Sequence, residues 1–364
     1  MRNTKFRIRA CLFFVIYLFG AFLPSVKCYA ESTEEYEAAI SIREGITVSS
    51  RFLELFKDNK NEDTVKLIPG GEVFGIKIDE PYLTVSETSE GSAFMRGDRI
   101  IKAGGKDASS PDVIGEVLKS SSGKPIKFEI IRSGERTSLT VTPKCENGEY
   151  KLGITLRGMA AGIGTVTFID PKTMSFGGLG HGVYSPDGHS ICEIEEAHAS
   201  GVLLGSVKRG EAGKPGELSG VLTDKDYGNI YINNECGVFG ELTNYDISGR
   251  EAIEIGKRDF VKCGEAEIIS TLKSGTTMRY KIEITDIERN EKGSKCFKIK
   301  ACDPALLAIS GGIVRGMSGS PIIQDGKLVG AVTHVMVANP TEGYGIFIEN
   351  MLNAAQSEVI PKAA

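Results

Sequence analysis

From Lys66 onward, short runs of alternating apolar and polar residues follow one another closely: IPGGEVFGIKI, YLTVSE, RIIKAGGK and PIKFEIIRSGERTSLTVTP, each bounded by Gly, Pro or Ser. A period of two marks half-buried strands, and the bounding residues mark turns. One segment breaks the pattern: SSPDVIGEVLKSSS spaces its apolar positions at helical period, with Asp112 near its start, and predicts a single helix. The last run folds back on itself about Ser133-Gly134 as a hairpin. After Gly148 the texture stays strand-dominated through KLGITL, IGTVTFID, GVLLGSVK, YGNIYINN, RYKIEITDIE and KCFKIKA. Many short strands without intervening helices predict a mainly β chain built as a barrel or sandwich, not a parallel βαβ sheet.

Two segments stand outside this texture. Arg2, Lys5, Arg7 and Arg9 precede the apolar run ACLFFVIYLFGAFLPSV, and CYA follows it before Glu31, so residues 1–30 read as a signal peptide or membrane anchor that exports the rest of the chain. Residues 31–65 are charged and lack a sustained apolar face, which predicts a linker or stalk. With 364 residues, two or three domains are expected. The net charge of −5 comes from interspersed charges of both signs, which excludes nucleic acid as the main partner. Eight cysteines include Cys11 and Cys28 in the export segment; Cys145, Cys192, Cys236, Cys263, Cys296 and Cys302 form no C-x-x-C pair, so no metal site is expected, and in an exported chain they either pair, with about 15 connectivities open to six cysteines, or stay as buried free thiols.

The order of strands and helix around GSAFMRGDRIIKAGGKDA resembles a PDZ domain over Lys66 to Lys144. That resemblance implies a loop whose backbone N–H groups capture a peptide or chain terminus at a sheet edge. Gly71, Glu72, Val73, Phe74, Gly75 and Ile76 (GEVFGI) are the matching stretch.

Only four histidines are available for acid–base chemistry: His181 among glycines in FGGLGHGVYSPDG, His189 and His198 in an acidic stretch, and His334 at the end of a strand. The run GIVRGMSGSPIIQDGKLVGAVTH sets Ser318 between glycines in a turn between two apolar strands. It resembles the nucleophile loop and following hairpin of chymotrypsin-like serine peptidases. That likeness implies Ser318 as nucleophile, the N–H groups of Gly316 and Ser318 as the oxyanion hole, and Ala331, Val332 and Thr333, on the strand running to Val335, as the edge that pairs with substrate. Ser320, at the tail of the turn, is the competing hydroxyl. Met317 stands where digestive proteases carry an activating aspartate, so that switch is absent.

Read together, FGGLGHG, CDPALLAISGGIVRGMSGSPIIQDGKLVGAVTHV and EGYGIFIENML resemble the stage IV sporulation protein B family of serine peptidases. The resemblance implies an export segment, a PDZ domain and, over 148–364, a chymotrypsin-like double β-barrel. It also implies a catalytic set of His181, Asp303 and Ser318 with no cofactor. Asp303 lies close before Ser318 in the chain, so Asp170 and Asp187, which flank His181, remain rivals for the orienting role. By the same resemblance the enzyme works between the forespore and mother-cell membranes, processes itself, and cuts the exposed domain of a membrane-bound sporulation signalling complex to trigger a late mother-cell sigma factor. Two other readings are a catalytically silent PDZ scaffold of the envelope and a housekeeping quality-control protease. Both histidine and serine are retained, against the first, and the PDZ segment precedes the catalytic region, against the second.

Overall fold

The computed structural model describes residues 40–43, 46–48 and 65–359, apart from 187, 189 and 274. The expected export segment lies outside these residues, as does most of the expected linker, in which Ile40–Arg43 and Ile46–Val48 form a short antiparallel pair. Among the described residues no helix is long and apolar enough to cross a membrane.

The chain is mainly β and builds two closed barrels. Six strands form the first: β1 (Val73–Thr88), β2 (Ile154–Ile169), β3 (Ser175–Gly178), β4 (Glu196–Lys208), β5 (Glu217–Asn234) and β6 (Gly237–Leu242). Their antiparallel pairings run β1–β2–β3–β6–β5–β4 and return from β4 to β1. The second is a closed barrel of β7 (Gly264–Lys273), β8 (Thr276–Ile287), β9 (Phe297–Ala301), β10 (Pro321–Gln324), β11 (Lys327–Val335) and β12 (Glu342–Phe347). Closure leaves no open edge inside either ring, which removes the liability of unpaired strands. Each ring fills its interior from alternate positions, Phe74, Ile76, Ile78, Val166 and Val238 in the first and Ile268, Ile282, Ile299, Val332 and Ile346 in the second.

β1 and β2 are long enough to serve two bodies. Their barrel halves pair from Val73↔Thr165 to Asp79↔Met159; a register shift follows, and Thr84↔Arg157 to Thr88↔Ile154 continue into a small domain. That domain adds strands Arg99–Ala103, Ile126–Arg132 and Glu135–Val141 and the helix α1 (Pro111–Ser121), with its own core of Leu83, Val85, Phe94, Ile114 and Phe128. The Phe94 and Phe128 rings meet edge to face at 5.1 Å. Asp98, buried, takes two hydrogen bonds from Arg132, at 2.7 and 2.6 Å, which gives the RGD stretch a structural purpose.

Three expectations change. The small domain is an insertion between the barrel halves of β1 and β2, so Lys66 to Asp79 belongs to the first barrel and the segment Glu149 to Arg157 belongs to the small domain, shifting the 66–144 and 148–364 boundaries. The GEVFGI stretch is no ligand loop: Ile76 pairs with Gly162 on one side and Ala199 on the other, and Gly75 with Ile163 and Ser200, so both edges are filled. An alternating run looks the same in either domain, and only pairing with distant strands separates them. Of the six cysteines, Cys192, Cys236 and Cys296 are buried free thiols as expected, whereas Cys145, Cys263 and Cys302 are exposed.

Candidate active site

The loop that carries Ser318 belongs to the second barrel but is held by the first. Thr165 N–H donates to the Ser318 carbonyl (2.9 Å), Thr165 Oγ1 to the Gly316 carbonyl (2.9 Å), and Thr167 Oγ1 to the Gly319 carbonyl (2.8 Å). β2 thus grips the loop at three carbonyls, those of Gly316, Ser318 and Gly319. Gly319 shows why the sequence is Gly-rich there: its φ is +96°, and a Cβ would sit 2.0 Å from the Thr165 carbonyl oxygen.

The peptide planes on both sides of Arg315 are pinned. Arg315 donates its N–H to the Gly216 carbonyl (3.0 Å), and its carbonyl accepts from Leu218 N–H (2.9 Å). Because a trans peptide points its N–H opposite its C=O, the Gly316 N–H turns away from Leu218. Among the described residues neither Gly316 N–H nor Ser318 N–H has a partner, so the loop that carries Ser318 keeps two unpaired backbone donors.

His181 comes from the loop after β3. Leu179 and Gly180 both adopt left-handed backbone, φ 65° and 69°, a costly geometry for leucine that swings the next residue into the cleft. The loop is tied down by the buried side chain of Asn233, which bonds the N–H and C=O of Val183 and the Cys192 carbonyl. His181 Nδ1 lies 2.8 Å from the Gly182 carbonyl. A carbonyl can only accept, so Nδ1 carries the hydrogen and Nε2 keeps the lone pair, the tautomer a general base requires. Burial lowers the His181 pKa, and the bond to Gly182 opposes this only in part.

Ser318, His181 and His334 line one cleft of about 780 Å³ between the barrels. Its walls are largely apolar, with Ile163, Ile313, Val314, Val335 and Val337, and among the described residues no aspartate or glutamate lines it. The Ser318 hydroxyl donates to the Thr333 carbonyl at 2.7 Å. His181 and His334 stand with ring centroids 5.0 Å apart at 39°.

The structure therefore brings His181, Ser318 and the Gly316 amide together and leaves Asp303 out. Asp303 caps the helix α2 (Pro304–Ser310): one carboxylate oxygen accepts from Ala305 and Leu306 N–H, at 2.8 and 3.3 Å, and the other from Lys281 N–H at 3.2 Å. It does not line the cleft, and its D-P sequence is the signature of an N-cap followed by proline at N1. The rival Asp170 is also engaged, accepting from Lys172 N–H (2.9 Å) and Thr173 Oγ1 (2.7 Å), while Asp187 lies outside the described residues, as does His189. His198 bonds Glu196 on β4. Ser320 is fully buried and bonds Ser270 Oγ at 3.1 Å, which removes it as a nucleophile.

The expected substrate edge also moves. Ala331 and Val332 are buried with both sides occupied: Ala331 pairs with Pro321 and Ile346, and Val332 accepts from Gly319 N–H and donates to the Ser320 carbonyl. The edge that faces the cleft begins at Thr333 and runs through His334 to Val335. The gripping threonines of β2 and Asn233 were not foreseen; TVT within an alternating strand and Asn-Asn before a turn carry no local sign of a distant partner.

Three comparisons complete the picture. No curated protein matches the chain. Among solved structures, the inactive form of the Rv3671c protease aligns with a TM-score of 0.30 and 10% identity, over 52% of this chain and 81% of its own. The inactive form of a serine-to-alanine mutant of Rv3671c from M. tuberculosis H37Rv aligns with a TM-score of 0.30 and 10% identity, over 56% and 84%. The SpoIVB peptidase S55 family profile matches residues 148–352, which include His181, Ser318 and His334. The chain belongs to the SpoIVB peptidase S55 family.

Proposed function

We propose that this serine peptidase uses Ser318 as nucleophile and His181 as base, and that it works as an exported endopeptidase of sporulation. The observation that carries the chemistry is the meeting of a serine, a correctly tautomerised imidazole and two unpartnered amides in one cleft. The Ser318 proton passes to His181 Nε2 while Oγ bonds to the substrate carbonyl carbon. The displaced π pair settles on the oxygen facing Gly316 and Ser318 N–H. Collapse breaks the C–N bond, and His181 returns the proton to the leaving amine. Water then adds to the acyl ester by the same path in reverse and frees the serine. The apolar walls suit an apolar side chain at the cleavage point, and Arg315, exposed at the rim without an ion pair among the described residues, suits an acidic residue nearby.

The small domain supplies substrate capture in this reading. Ile154 to Arg157 pairs with β1 on one side only, and a groove of about 510 Å³ lies between this free edge and Ile114 and Leu118 of α1. Leu152-Gly153 leads into it, with Gly153 at φ 66°. Such a groove accepts an extended chain terminus as an added strand, the PDZ mode, at a place other than GEVFGI. Family likeness supports the remaining steps: self-processing within residues 31–65, membrane attachment through residues 1–30, and cleavage of the exposed domain of a membrane-bound signalling complex between forespore and mother cell.

The test is cleavage in trans. Full-length wild-type chain is mixed with the Ser318→Ala chain, and new termini are read by mass spectrometry. Cuts in the Ser318→Ala partner that depend on the wild-type serine support an endopeptidase. A wild-type chain that leaves its partner and unfolded protein substrates uncut returns the scaffold reading.

A further inference from the structure

His181 stands at the root of a segment that doubles back on itself. Tyr184 bridges Ile191, and Cys192 N–H donates to the Val183 carbonyl at 2.9 Å. His181, Gly182, Val183, Tyr184 and Ser185 all line the cleft, so this segment both carries the base and walls the site. Asn233 ties it to the first barrel. The small domain ties it as well. Thr84 pairs with Arg157 on one side and Arg99 on the other, and cross-strand partners share a face of the sheet, so two arginines stand abreast. Both reach the segment's return arm, residues 191–193. Arg99 Nη1 meets Glu193 Oε1 at 2.5 Å, and the Arg99 guanidinium lies 5.9 Å from the centre of the Tyr82 ring. Arg157 Nη2 lies 3.8 Å from Cys192 Sγ and 3.3 Å from Glu80 Oε1.

Glu80 sits where β1 passes from the barrel into the small domain, between Asp79 and Thr84. Its side chain is 2% exposed, yet the bonds it accepts are long, 3.3 Å from Arg157 and 3.4 Å from Thr84 Oγ1. Arg157 Nε is buried with no partner among the described residues. A buried carboxylate and guanidinium normally close on each other through two short parallel bonds. Here the guanidinium is shared between Glu80 and Cys192, a geometry that lasts only while its surroundings hold it.

We propose that Arg99 and Arg157 are positioning residues for His181: through Glu193 and Cys192 the small domain holds the segment that carries the base, and its seating sets how well His181 addresses Ser318. This rests on the serine-peptidase reading of the same cleft. The link is short. One hydrogen bond leads from Cys192 to Val183, and Val183 follows Gly182, whose carbonyl holds His181 Nδ1 at 2.8 Å. Misplacing a reacting group by about 1 Å can cost about a hundredfold in rate, so a partial loosening of the segment is readable in kcat. A shift of the small domain on its hinge loosens both arginine contacts together, which makes the insertion a control on turnover as well as a place to hold substrate.

The experiment uses the full-length chain, a fluorogenic peptide that wild type cleaves, and fluorophosphonate labelling as the check on Ser318. Arg99→Glu and Glu193→Arg each bring like charges together, and each is expected to lower kcat about tenfold while KM stays nearly unchanged. The double variant restores opposite charges and is expected to return kcat to within about threefold of wild type. Glu193→Gln, a neutral change at an exposed side chain, is expected to lower kcat about threefold and keeps the proposal testable should a reversed charge upset folding. Wild-type kcat in folded Arg99→Glu and Glu193→Gln would overturn it. So would a double variant that regains the melting temperature but not kcat, because the pair would then only fasten the domain. A wild-type chain that takes no label at Ser318 fails the underlying reading, whereas a labelled wild type beside unchanged variants fails this proposal alone.

Discussion

Ser318 donates its hydroxyl to the carbonyl of Thr333 at 2.7 Å rather than to His181. The acceptor it occupies sits at the start of the Thr333–Val335 stretch that lines the cleft, where, in the proposed reading, an extended peptide would present a backbone N–H. Binding and arming are thereby coupled: a substrate amide that takes the Thr333 carbonyl releases the hydroxyl toward His181 Nε2. The coupling predicts that a peptidyl phosphonate with a free N–H next to the phosphorus-bearing residue labels Ser318 about tenfold faster than its N-methyl analogue, the worth of roughly one hydrogen bond. Equal second-order labelling constants would show that the Thr333 contact is incidental.

Asp303 is a helix cap in this account. Asp303→Ala is expected to cost about 1 kcal/mol, typical of a lost N-cap, and to lower the melting temperature while the folded enzyme keeps its kcat. Asp303→Asn, itself a good cap, should be close to wild type in both respects. Thermal unfolding and kcat measured on the same preparations decide the matter.

Both cleft histidines have pKa values below the usual imidazole value of 6.5. For catalysis the base form of His181 persists as pH falls, so the acid limb of kcat/KM should lie below about 6.5. For stability the sign is the same. Between the folded values and 6.5 the unfolded chain binds more protons, so these residues make stability fall as pH drops through that window toward about 4, the value for His334. A pH–rate profile with its acid limb above 6.5 contradicts the burial of His181.

Gly319 has no room for a side chain. Gly319→Ala should abolish labelling of Ser318, because a Cβ would have to displace the Thr165 carbonyl and the loop would leave β2. Thr167→Val, which removes one of the three points of grip, should slow turnover without stopping it. Labelling rates of the two variants, set against their far-UV circular dichroism, check the ordering.

Much of the architecture was legible because it is local. Alternation marked the strands, SSPDVIGEVLKSSS marked α1, and the Gly-rich turns marked the loops carrying His181 and Ser318. What escaped depends on residues far apart in the chain. Val73–Asp79 alternates as a strand of either domain would, and only its partners at Gly162–Thr165 and Glu196–Ser200 assign it to the first barrel. Asp303 precedes proline, a pattern shared by an N-cap and by the family's expected catalytic aspartate, and only the distribution of N–H donors separates the two roles. His334 was visible as a strand-end histidine, yet its nearness to His181 follows from barrel closure, which no spacing reveals. Resemblance thus pointed to His181 and Ser318, which the fold gathers in one cleft, and to Asp303, which the fold places at a helix cap.

The central claim is that Ser318 and His181 form a working pair. Intact-mass analysis of the full-length chain after fluorophosphonate treatment tests it most directly, alongside Ser318→Ala, His181→Ala, Ser320→Ala and Asp303→Asn. The account predicts one adduct, lost in the first two variants and kept in the last two. An adduct that survives Ser318→Ala, or a folded wild-type chain that never labels, would contradict it.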